Sequence, residues 1–267
     1  MDKTDHYLIT RFNVPVPDWA RDKAGITTLD EAWMNHRITL FNTFCAPSVA
    51  GQTLKDFRWL IYCDRNTAKE FVDQINQSIL MIPHAELRFV KDFDELKVDL
   101  KQVISTGGNQ YIITSRVDND DALGRKYIEL TQVNLIHENR MVINLCGGAL
   151  YDLHQRILTK LPQMRFNHFG SLVEKRNDTV EFLTVMGFSH HDPPADVKVK
   201  DVNSQYAWLK IIHDRNVNSR TIGVPVLSSG LAQHFNLEKN VLPVSLLRSI
   251  VYFFKRSLFV LKRKAKG

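Results

Sequence analysis

The chain has 267 residues, 44% of them hydrophobic, so it can bury the core of one large domain or two small ones, and wholesale disorder is excluded. Its net charge of +6 resides at the C-terminus, because residues 241–267 carry seven of the 35 Lys and Arg residues and no acid, which leaves 28 basic against 29 acidic residues before them. A balanced body with a basic tail argues against a broad nucleic-acid surface and for one local contact with an anionic partner.

The cysteines and the N-terminus bear on the compartment. Cys45, Cys63 and Cys146 lie far apart, so neither a disulfide framework nor a Cys-x-x-Cys metal site is indicated. Residues 1–6 are polar and lack the basic and then apolar stretch of a secretory signal. Both features predict a protein of the reducing cytoplasm.

The first half of the chain alternates between short apolar runs and segments with helical periodicity. The predicted strands are 7–10, 59–63, 87–90, 110–114 and 141–145. The predicted helices are 30–44, 67–80, 93–104 and 122–137. This alternation is typical of a mainly parallel sheet flanked by helices, which predicts an α/β fold.

The second half has a more hairpin-like pattern. Strands are predicted at 156–159, 171–173 and 180–186, and residues 193–204 form the only obvious long loop. We therefore expect one main domain over 1–240, with a first half at 1–148 and a second half at 149–240, followed by a tail at 241–267.

An acidic cluster follows the fourth predicted strand. Asp118, Asp120 and Asp121 place three carboxylates within four residues, and like charges at a buried strand end need a compensating cation. Their hard oxygen atoms suit Mg²⁺ or Mn²⁺, and ligands of open α/β sheets bind beyond the carboxyl ends of the strands. The alternative is a solvated turn whose acids favour the start of the next helix.

The segment from Thr114 to Leu123 resembles the Asp-x-Asp motif of glycosyltransferases with the GT-A fold, and more narrowly the rhamnosyltransferase family of bacterial polysaccharide synthesis. The resemblance covers most of the chain before the tail. Its further segments are 9–13, 44–49, 52–53, 57–64, 171–174, 207–209 and 213–216. It implies a GT-A-like fold, which is a mixed and mainly parallel sheet flanked by helices. A C-terminal amphipathic helix completes the predicted fold class.

The resemblance also implies a metal site. Asp118 with Asp120 or Asp121 would bridge Mn²⁺ or Mg²⁺ to the diphosphate of a nucleotide-sugar donor. Many GT-A enzymes add a late histidine ligand, for which His213 is preferred over the pair at 190–191. An ordinary hydrogen-bonded histidine on a partly buried helix is the alternative for His213.

The remaining donor contacts follow from the same resemblance. Thr10, Arg11 and Asp64, at the ends of the first two strands, would contact the base and ribose of the nucleotide. Arg116 would bind a phosphate or the sugar, and Asp118 would also contact the donor. Asp64 could equally cap the following helix.

Transfer with inversion needs a base that accepts the proton of the acceptor hydroxyl. Glu174 is the first candidate and Asp152 the second, although acids at strand ends are more often solvated or paired than catalytic.

The tail is apolar, aromatic-rich and interrupted by basic residues, and it is too short and too charged to span a bilayer. Such a composition predicts an interfacial helix on anionic lipid, and a core-packing or dimerising helix is the alternative. We therefore expect a peripheral protein at the inner face of the cell membrane.

Together these features predict a metal-dependent glycosyltransferase without nucleic-acid partners. It would move a sugar, with rhamnose as a candidate, from a dTDP- or UDP-linked donor to a lipid-linked or surface polysaccharide such as lipopolysaccharide. A sugar-phosphate nucleotidyltransferase is one alternative, but residues 10–18 lack the glycine-rich, basic loop that such enzymes normally carry. A non-enzymatic peripheral membrane scaffold is another.

Overall fold

Two β-sheets with surrounding helices make up the part of the chain that the computed structural model describes, namely residues 4–16, 29–165, 167–176, 181–189, 192–216, 220–227 and 229–264, without the side chains of Ser229 and of 258–264. The strands of the larger sheet are β1 (Thr4–Arg11), β2 (Arg58–Asp64), β3 (Ala85–Val90), β4 (Tyr111–Arg116), β6 (Met141–Leu145), β9 (Ser171–Lys175) and β10 (Lys198–Val202). Those of the smaller sheet are β5 (Ala122–Leu123), β7 (Gly148–Asp152), β8 (Ile157–Leu161), β11 (Trp208–Ile212) and β12 (Val224–Pro225).

The larger sheet has the order β10-β6-β9-β4-β1-β2-β3 among the described residues. Its neighbouring strands are parallel except where β9 runs antiparallel to β4 and β6. Both faces are covered, since Leu8 and Ile61 belong to one buried cluster while Ile9 and Leu60 belong to the other. Burial on both faces explains why these strands read as continuous apolar runs.

The helices are α1 (Glu31–Leu40), α2 (Ala46–Ala50), α3 (Lys69–Ile79), α4 (Phe93–Ser105), α5 (Tyr127–Val133) and α6 (Leu246–Lys264). A π-helical segment, Phe41–Cys45, joins α1 to α2, and a 3₁₀ helix spans Ser229–Phe235. Asp30 caps α1 by accepting a hydrogen bond from the amide of Trp33 at 2.7 Å. Asp92 caps α4 in the same way through the amide of Glu95 at 2.8 Å.

The smaller sheet has the order β12-β8-β7-β11-β5 in the described chain. β7 and β8 form an antiparallel hairpin, β11 is parallel to β7, and β5 is antiparallel to β11. A third buried cluster, which includes Phe44, Tyr151 and Phe235, packs this sheet against the π segment and the 3₁₀ helix. Because β5 immediately follows the acidic cluster, the smaller sheet holds the far end of that loop.

The predicted fold class is confirmed: the protein is a mixed α/β protein with a mainly parallel sheet, flanking helices and a C-terminal helix. Each strand predicted in the first half corresponds to an observed strand, and the predicted helices at 30–44, 67–80 and 93–104 correspond to observed helices.

The helix predicted over 122–137 is wrong at both ends. Ala122 pairs with Leu209 of β11 and the amide of Gly124 donates to the carbonyl of Ala207, so this stretch belongs to the smaller sheet and α5 is confined to Tyr127–Val133. Sheet pairing with residues more than 80 positions away overrides the local helical periodicity.

The strand predicted over 180–186 is also wrong, because its described residues, 181–186, form no strand. The amides of Leu183 and Thr184 donate to the carboxylate of Glu174, and the amide of Val185 donates to the hydroxyl of Thr114. Side-chain acceptors satisfy this backbone instead of a neighbouring strand. The loop predicted over 193–204 contains β10, and His213 follows a strand rather than lying on a helix.

Helix α6 lies against β8 and β12. Its Ser249 is buried, and the hydroxyl of Tyr252 donates to the carbonyl of Gly223 at 3.2 Å. None of the helices in the described residues is long and apolar enough to cross a bilayer.

Candidate active site

The acidic loop lies beyond the carboxyl ends of β1 and β4. Arg116 ends β4 opposite Ile9, and the amide of Val117 donates to the carbonyl of Ile9 at 3.0 Å, which extends the pairing by one residue. The side-chain amide of Asn119 donates to the carbonyl of Phe12 at 2.9 Å. These bonds fix the loop at the edge where open α/β sheets bind ligands.

Two of the three aspartates lie together with a histidine that the sequence did not suggest. One possible ligand atom from each of Asp118, Asp121 and His168 lies within 4.8 Å of the others, and His168 Nε2 is 2.9 Å from Asp121 Oδ2. The other oxygen of Asp121 accepts a hydrogen bond from the amide of Ile211 at 2.8 Å. Two carboxylates and an imidazole at this spacing fit a divalent cation such as Mn²⁺.

The two carboxyl groups of this cluster have opposite pKa shifts. Burial, followed by the charge of Asp120, raises the pKa of Asp121 well above its ordinary value. Burial also acts to raise the pKa of Asp118, but the positive charges nearby, that of Arg116 first, outweigh it, so that this pKa lies below its ordinary value. Burial lowers the pKa of His168 to about 3, which leaves the imidazole neutral and able to ligate a metal. Without a cation, burial and the neighbouring carboxylates thus oppose ionisation of Asp121, and a bound cation would favour its charged form.

Asp120 points to a different set of partners. Its Oδ2 atom accepts from Arg37 Nη1 at 2.5 Å and lies 2.8 Å from His213 Nε2. Arg37 Nη1 also donates to Asn119 Oδ1 at 3.1 Å, and its guanidinium carbon is 5.0 Å from the centre of the Trp33 ring. Burial opposes ionisation of Asp120, but Arg37 and His213 outweigh it and hold its pKa below the ordinary value. The structure therefore divides the four predicted metal ligands between two neighbouring groups.

Two predicted cationic residues border the acidic loop. Arg116 Nη2 is 3.4 Å from Asp118 Oδ1, and the Arg11 guanidinium carbon is 5.7 Å from the centre of the Phe93 ring. Burial, partly opposed by Asp118 and reinforced by Arg116, lowers the pKa of Arg11 to about 10. Arg11 therefore remains cationic at neutral pH, and this edge of the sheet brings guanidinium and carboxylate groups together.

Thr10 and Asp64 occupy the ends of β1 and β2 as predicted, but with local partners. The hydroxyl of Thr10 is fully buried, donates to the carbonyl of Val117 at 2.9 Å and accepts from the indole of Trp59 at 2.9 Å. The carboxylate of Asp64 accepts from the amide of Asn66 at 2.9 Å. In this arrangement Thr10 positions the acidic loop, and Asp64 closes the turn that leads to α3.

The two predicted bases differ in position. Glu174 lies opposite Ile112 in β4, about 13 Å along the strand from Arg116. Both of its oxygens accept backbone hydrogen bonds, from Leu183 at 2.7 Å and Thr184 at 2.9 Å, and burial raises its pKa. The structure does not bring Glu174 to the acidic cluster.

Asp152 ends β7 opposite Ile212, the residue before His213. Its carboxylate accepts from the amide of Gln155 at 2.8 Å and from the hydroxyl of Thr221 at 2.6 Å. Through His213 this strand end adjoins Asp120, so Asp152 lies on the same side of the molecule as the acidic loop.

Sequence reasoning missed Arg37 and His168. Arg37 reads as an ordinary basic residue in the last turn of α1, and His168 lies in a turn before β9, so neither has a local pattern that marks it. Tertiary contacts alone bring them to Asp120 and Asp121. The alternative histidines at 190–191 lie outside the described residues.

Comparison with solved structures gives distant similarities. S. aureus TarS 1–349 in complex with UDP is 11% identical with a TM-score of 0.45, covering 78% of this chain and 61% of that chain. The complex of the same S. aureus protein with UDP-GlcNAc is 10% identical with a TM-score of 0.44, covering 80% and 60%. The apo structure of the bifunctional glycosyltransferase WbbM is 10% identical with a TM-score of 0.30, covering 58% and 24%.

The chain thus spans about 60% of the TarS fragment that it matches. Comparison with curated proteins finds no match. The sequence does match one family, described as “Putative rhamnosyl transferase”, over residues 5–224. Because this match spans most of the chain, including both sheets and the acidic loop, the protein belongs to that family of glycosyltransferases.

Proposed function

We propose that this protein is a metal-dependent glycosyltransferase that moves a hexosyl or deoxyhexosyl unit from a nucleoside-diphosphate donor to a glycan acceptor. The observation that carries the proposal is the meeting of Arg11, Arg116, Asp118 and Asp121 at the carboxyl ends of β1 and β4. Guanidinium groups bind phosphate oxygens and carboxylates bind cations, so the combination suits a metal diphosphate. Membership of the family over 5–224 supports a sugar as the transferred group, and rhamnose rests on the family description alone.

A divalent cation, Mn²⁺ or Mg²⁺, would be held by Asp118, Asp121 and His168, whose ligand atoms can share one ion. When bound, such an ion supplies positive charge that stabilises the departing nucleoside diphosphate. Arg11 and Arg116 would bind the same phosphates. Asp120, paired with Arg37, would hold the acidic loop in the shape that presents the other two carboxylates.

Acceptor activation requires a base, and Asp152 is better placed than Glu174 because β7 ends beside the strand that leads to His213, a partner of Asp120, whereas Glu174 lies about 13 Å along β4 from Arg116. In the proposed step the acceptor hydroxyl oxygen bonds to the anomeric carbon, the bond from that carbon to the diphosphate breaks, and Asp152 accepts the hydroxyl proton. Attack opposite the leaving group inverts the anomeric centre.

Nucleotide binding tests the donor site. We would follow thermal stability and calorimetric binding of the full chain with UDP, dTDP, GDP and CMP, each with and without Mn²⁺. Stabilisation by UDP or dTDP that depends on Mn²⁺ is expected, since a ligand that binds only the folded state raises its stability. Asp121→Asn should abolish the Mn²⁺-dependent part.

A matched control makes the same substitution at an exposed acid. Asp94→Asn lies on α4, and its side chain is 88% exposed, so it should bind nucleotide like the wild type. A lack of response to every nucleotide would contradict the proposal and favour a membrane scaffold. Formation of a nucleotide sugar from a nucleoside triphosphate and a sugar phosphate would instead favour a nucleotidyltransferase.

We also propose that α6 attaches the protein to anionic lipid at the inner face of the cell membrane, where a lipid-linked acceptor would be found. Ser249 and Tyr252 face the protein, whereas a set of large apolar side chains on the same helix is exposed. These are Leu246, Leu247, Ile250, Val251, Phe253 and Phe254, each between 41% and 73% exposed. A surface helix ordinarily buries such a face. No acid occurs from residue 241 onward, so every charged side chain that negative lipid head groups would contact there is basic.

Vesicle co-sedimentation tests the attachment. The full chain should bind vesicles that contain phosphatidylglycerol and bind pure phosphatidylcholine vesicles at least about tenfold more weakly. Phe254→Ser should weaken binding to the anionic vesicles. Val98→Ser, at a residue of α4 that is 55% exposed, is the control and should leave binding unchanged. Equal binding by wild type and Phe254→Ser would contradict the attachment through α6.

A further inference from the structure

A second group of possible metal ligands lies on the other side of Asp120 from the acidic cluster. It consists of His36 on α1 and of His213 and Asp214, which follow β11. His36 Nε2 is 3.3 Å from His213 Nδ1, and Asp214 Oδ1 is 3.9 Å from each of these nitrogen atoms. Residues separated by 177 positions thus bring two imidazoles and one carboxylate to a single point.

The spacing of the three atoms is close to that of a metal-binding face. Four ligands at the usual Zn²⁺ distances of about 2.1 Å lie about 3.4 Å apart at the corners of a tetrahedron. The two imidazole nitrogens already have this separation. The side chain of Asp214 is 82% exposed, so a small rotation would bring its oxygen from 3.9 Å to the same distance without disturbing the core.

Asp120 orients His213 for this role. The Nδ1 atom of His213 accepts from the amide of Arg215, so the proton of the neutral ring is on Nε2, which lies 2.8 Å from Asp120 Oδ2 and 3.0 Å from Asn216 Nδ2. The lone pair is then on Nδ1, which faces His36 and Asp214. A carboxylate that holds the far nitrogen of a metal-ligating histidine is a recurrent feature of zinc sites. Without a metal, Nδ1 accepts a 3.2 Å hydrogen bond from the amide of Arg215, a contact that a metal would replace.

We propose that His36, His213 and Asp214 form a Zn²⁺ site that is separate from the Mn²⁺ or Mg²⁺ site at Asp118 and Asp121. Two imidazoles and a carboxylate suit zinc, whereas magnesium and manganese favour oxygen-rich sites. Three protein ligands leave the fourth position to water, as in zinc sites that keep one open position. Bound zinc would join α1 to the segment after β11, and so hold in place the Arg37 and Asp120 pair that supports the acidic loop.

The test measures the binding of Zn²⁺ to the metal-stripped full chain by calorimetry. Co²⁺ serves as a spectroscopic substitute, because its visible bands report four-coordinate nitrogen and oxygen ligation. The wild type should bind one Zn²⁺ with high affinity and gain thermal stability. His36→Gln and Asp214→Asn should each weaken that binding on the order of 100-fold and remove the Co²⁺ bands. His154→Gln, at an exposed histidine of the β7–β8 turn, is the control.

Other variants separate this site from the proposed donor site. Asp121→Asn should retain Zn²⁺ binding while it loses Mn²⁺-dependent nucleotide binding, and His36→Gln should show the reverse. Because Asp214 is highly exposed, unchanged Zn²⁺ affinity in Asp214→Asn cannot be attributed to misfolding. Zn²⁺ binding that survives in both His36→Gln and Asp214→Asn, or that disappears only in Asp121→Asn, would overturn the proposal.

Discussion

His6 gives a prediction whose magnitude can be worked out from its surroundings. It lies on β1 with a side chain that is almost completely buried. His6 Nε2 is 2.8 Å from the hydroxyl of Ser115, and Gln132 Nε2 is 3.3 Å from His6 Nδ1. A neutral ring satisfies both contacts by donating from Nε2 and accepting at Nδ1, whereas a second proton would oppose the Gln132 donor. Burial lowers the pKa of His6 from 6.5 to about 3.

The sign of the pH effect follows from this shift. Since the pKa is lower in the folded state, the unfolded chain binds more protons between pH 6.5 and 3, so the stabilisation is complete above pH 6.5 and is lost as the pH falls through this range. At pH 5, 1.5 pH units below the unfolded pKa, the free energy of unfolding should have dropped by about 2 kcal/mol through His6 alone.

Urea unfolding monitored by tryptophan fluorescence at pH 8 and pH 5 measures this loss. His6→Gln keeps a polar side chain of similar reach but cannot titrate, so it should lose about 2 kcal/mol less than the wild type between the two pH values. His154→Gln removes an exposed histidine and should behave like the wild type. An equal pH dependence in wild type and His6→Gln would refute the reasoning.

Two further substitutions test a close backbone contact and the ion pair that supports the acidic loop. In Gly147→Ala the new methyl group would lie 1.8 Å from the carbonyl oxygen of Ser204, which should cost about 1–3 kcal/mol of stability, whereas Gly108→Ala meets nothing within 4 Å and should be nearly neutral. Thermal unfolding distinguishes the two, and equal melting temperatures would contradict the predicted clash. Arg37→Met leaves the buried carboxylate of Asp120 without its main cation and should cost about 3–5 kcal/mol in urea unfolding. Arg37→Lys should recover part of that loss, and a stable Arg37→Met protein would show that the pair contributes little.

Local pattern was sufficient for the core of the larger sheet. The first strands are buried on both faces, so a continuous apolar run such as Trp59 to Cys63 predicts a strand without knowledge of its neighbours. The position of Asp118 after β4 also followed from sequence, because an acidic cluster directly after a buried parallel strand must lie at its carboxyl end.

Pairing between distant segments could not be predicted in this way. Ala122 and Leu123 have the composition of a helix start, yet they form β5 because β11 offers them a partner more than 80 residues later. The amides of Leu183 and Thr184 bond to a carboxylate, so an apolar run that resembles a strand does not become one. Periodicity predicts which residues are buried, but not which partners will form hydrogen bonds with their backbone groups.

The sequence by itself thus determined the α/β class, the family resemblance and the acidic loop, since each depends on residues close together in the chain. Only the tertiary structure decided which partners each aspartate of that loop contacts. It pairs Asp120 with Arg37 and His213 and leaves Asp118 and Asp121 to His168, partners that lie between 47 and 93 residues away from the aspartates that they contact. Three adjacent carboxylates are alike in sequence, and they become different because burial and the charge of each neighbour are set by elements that fold onto the loop from elsewhere in the chain.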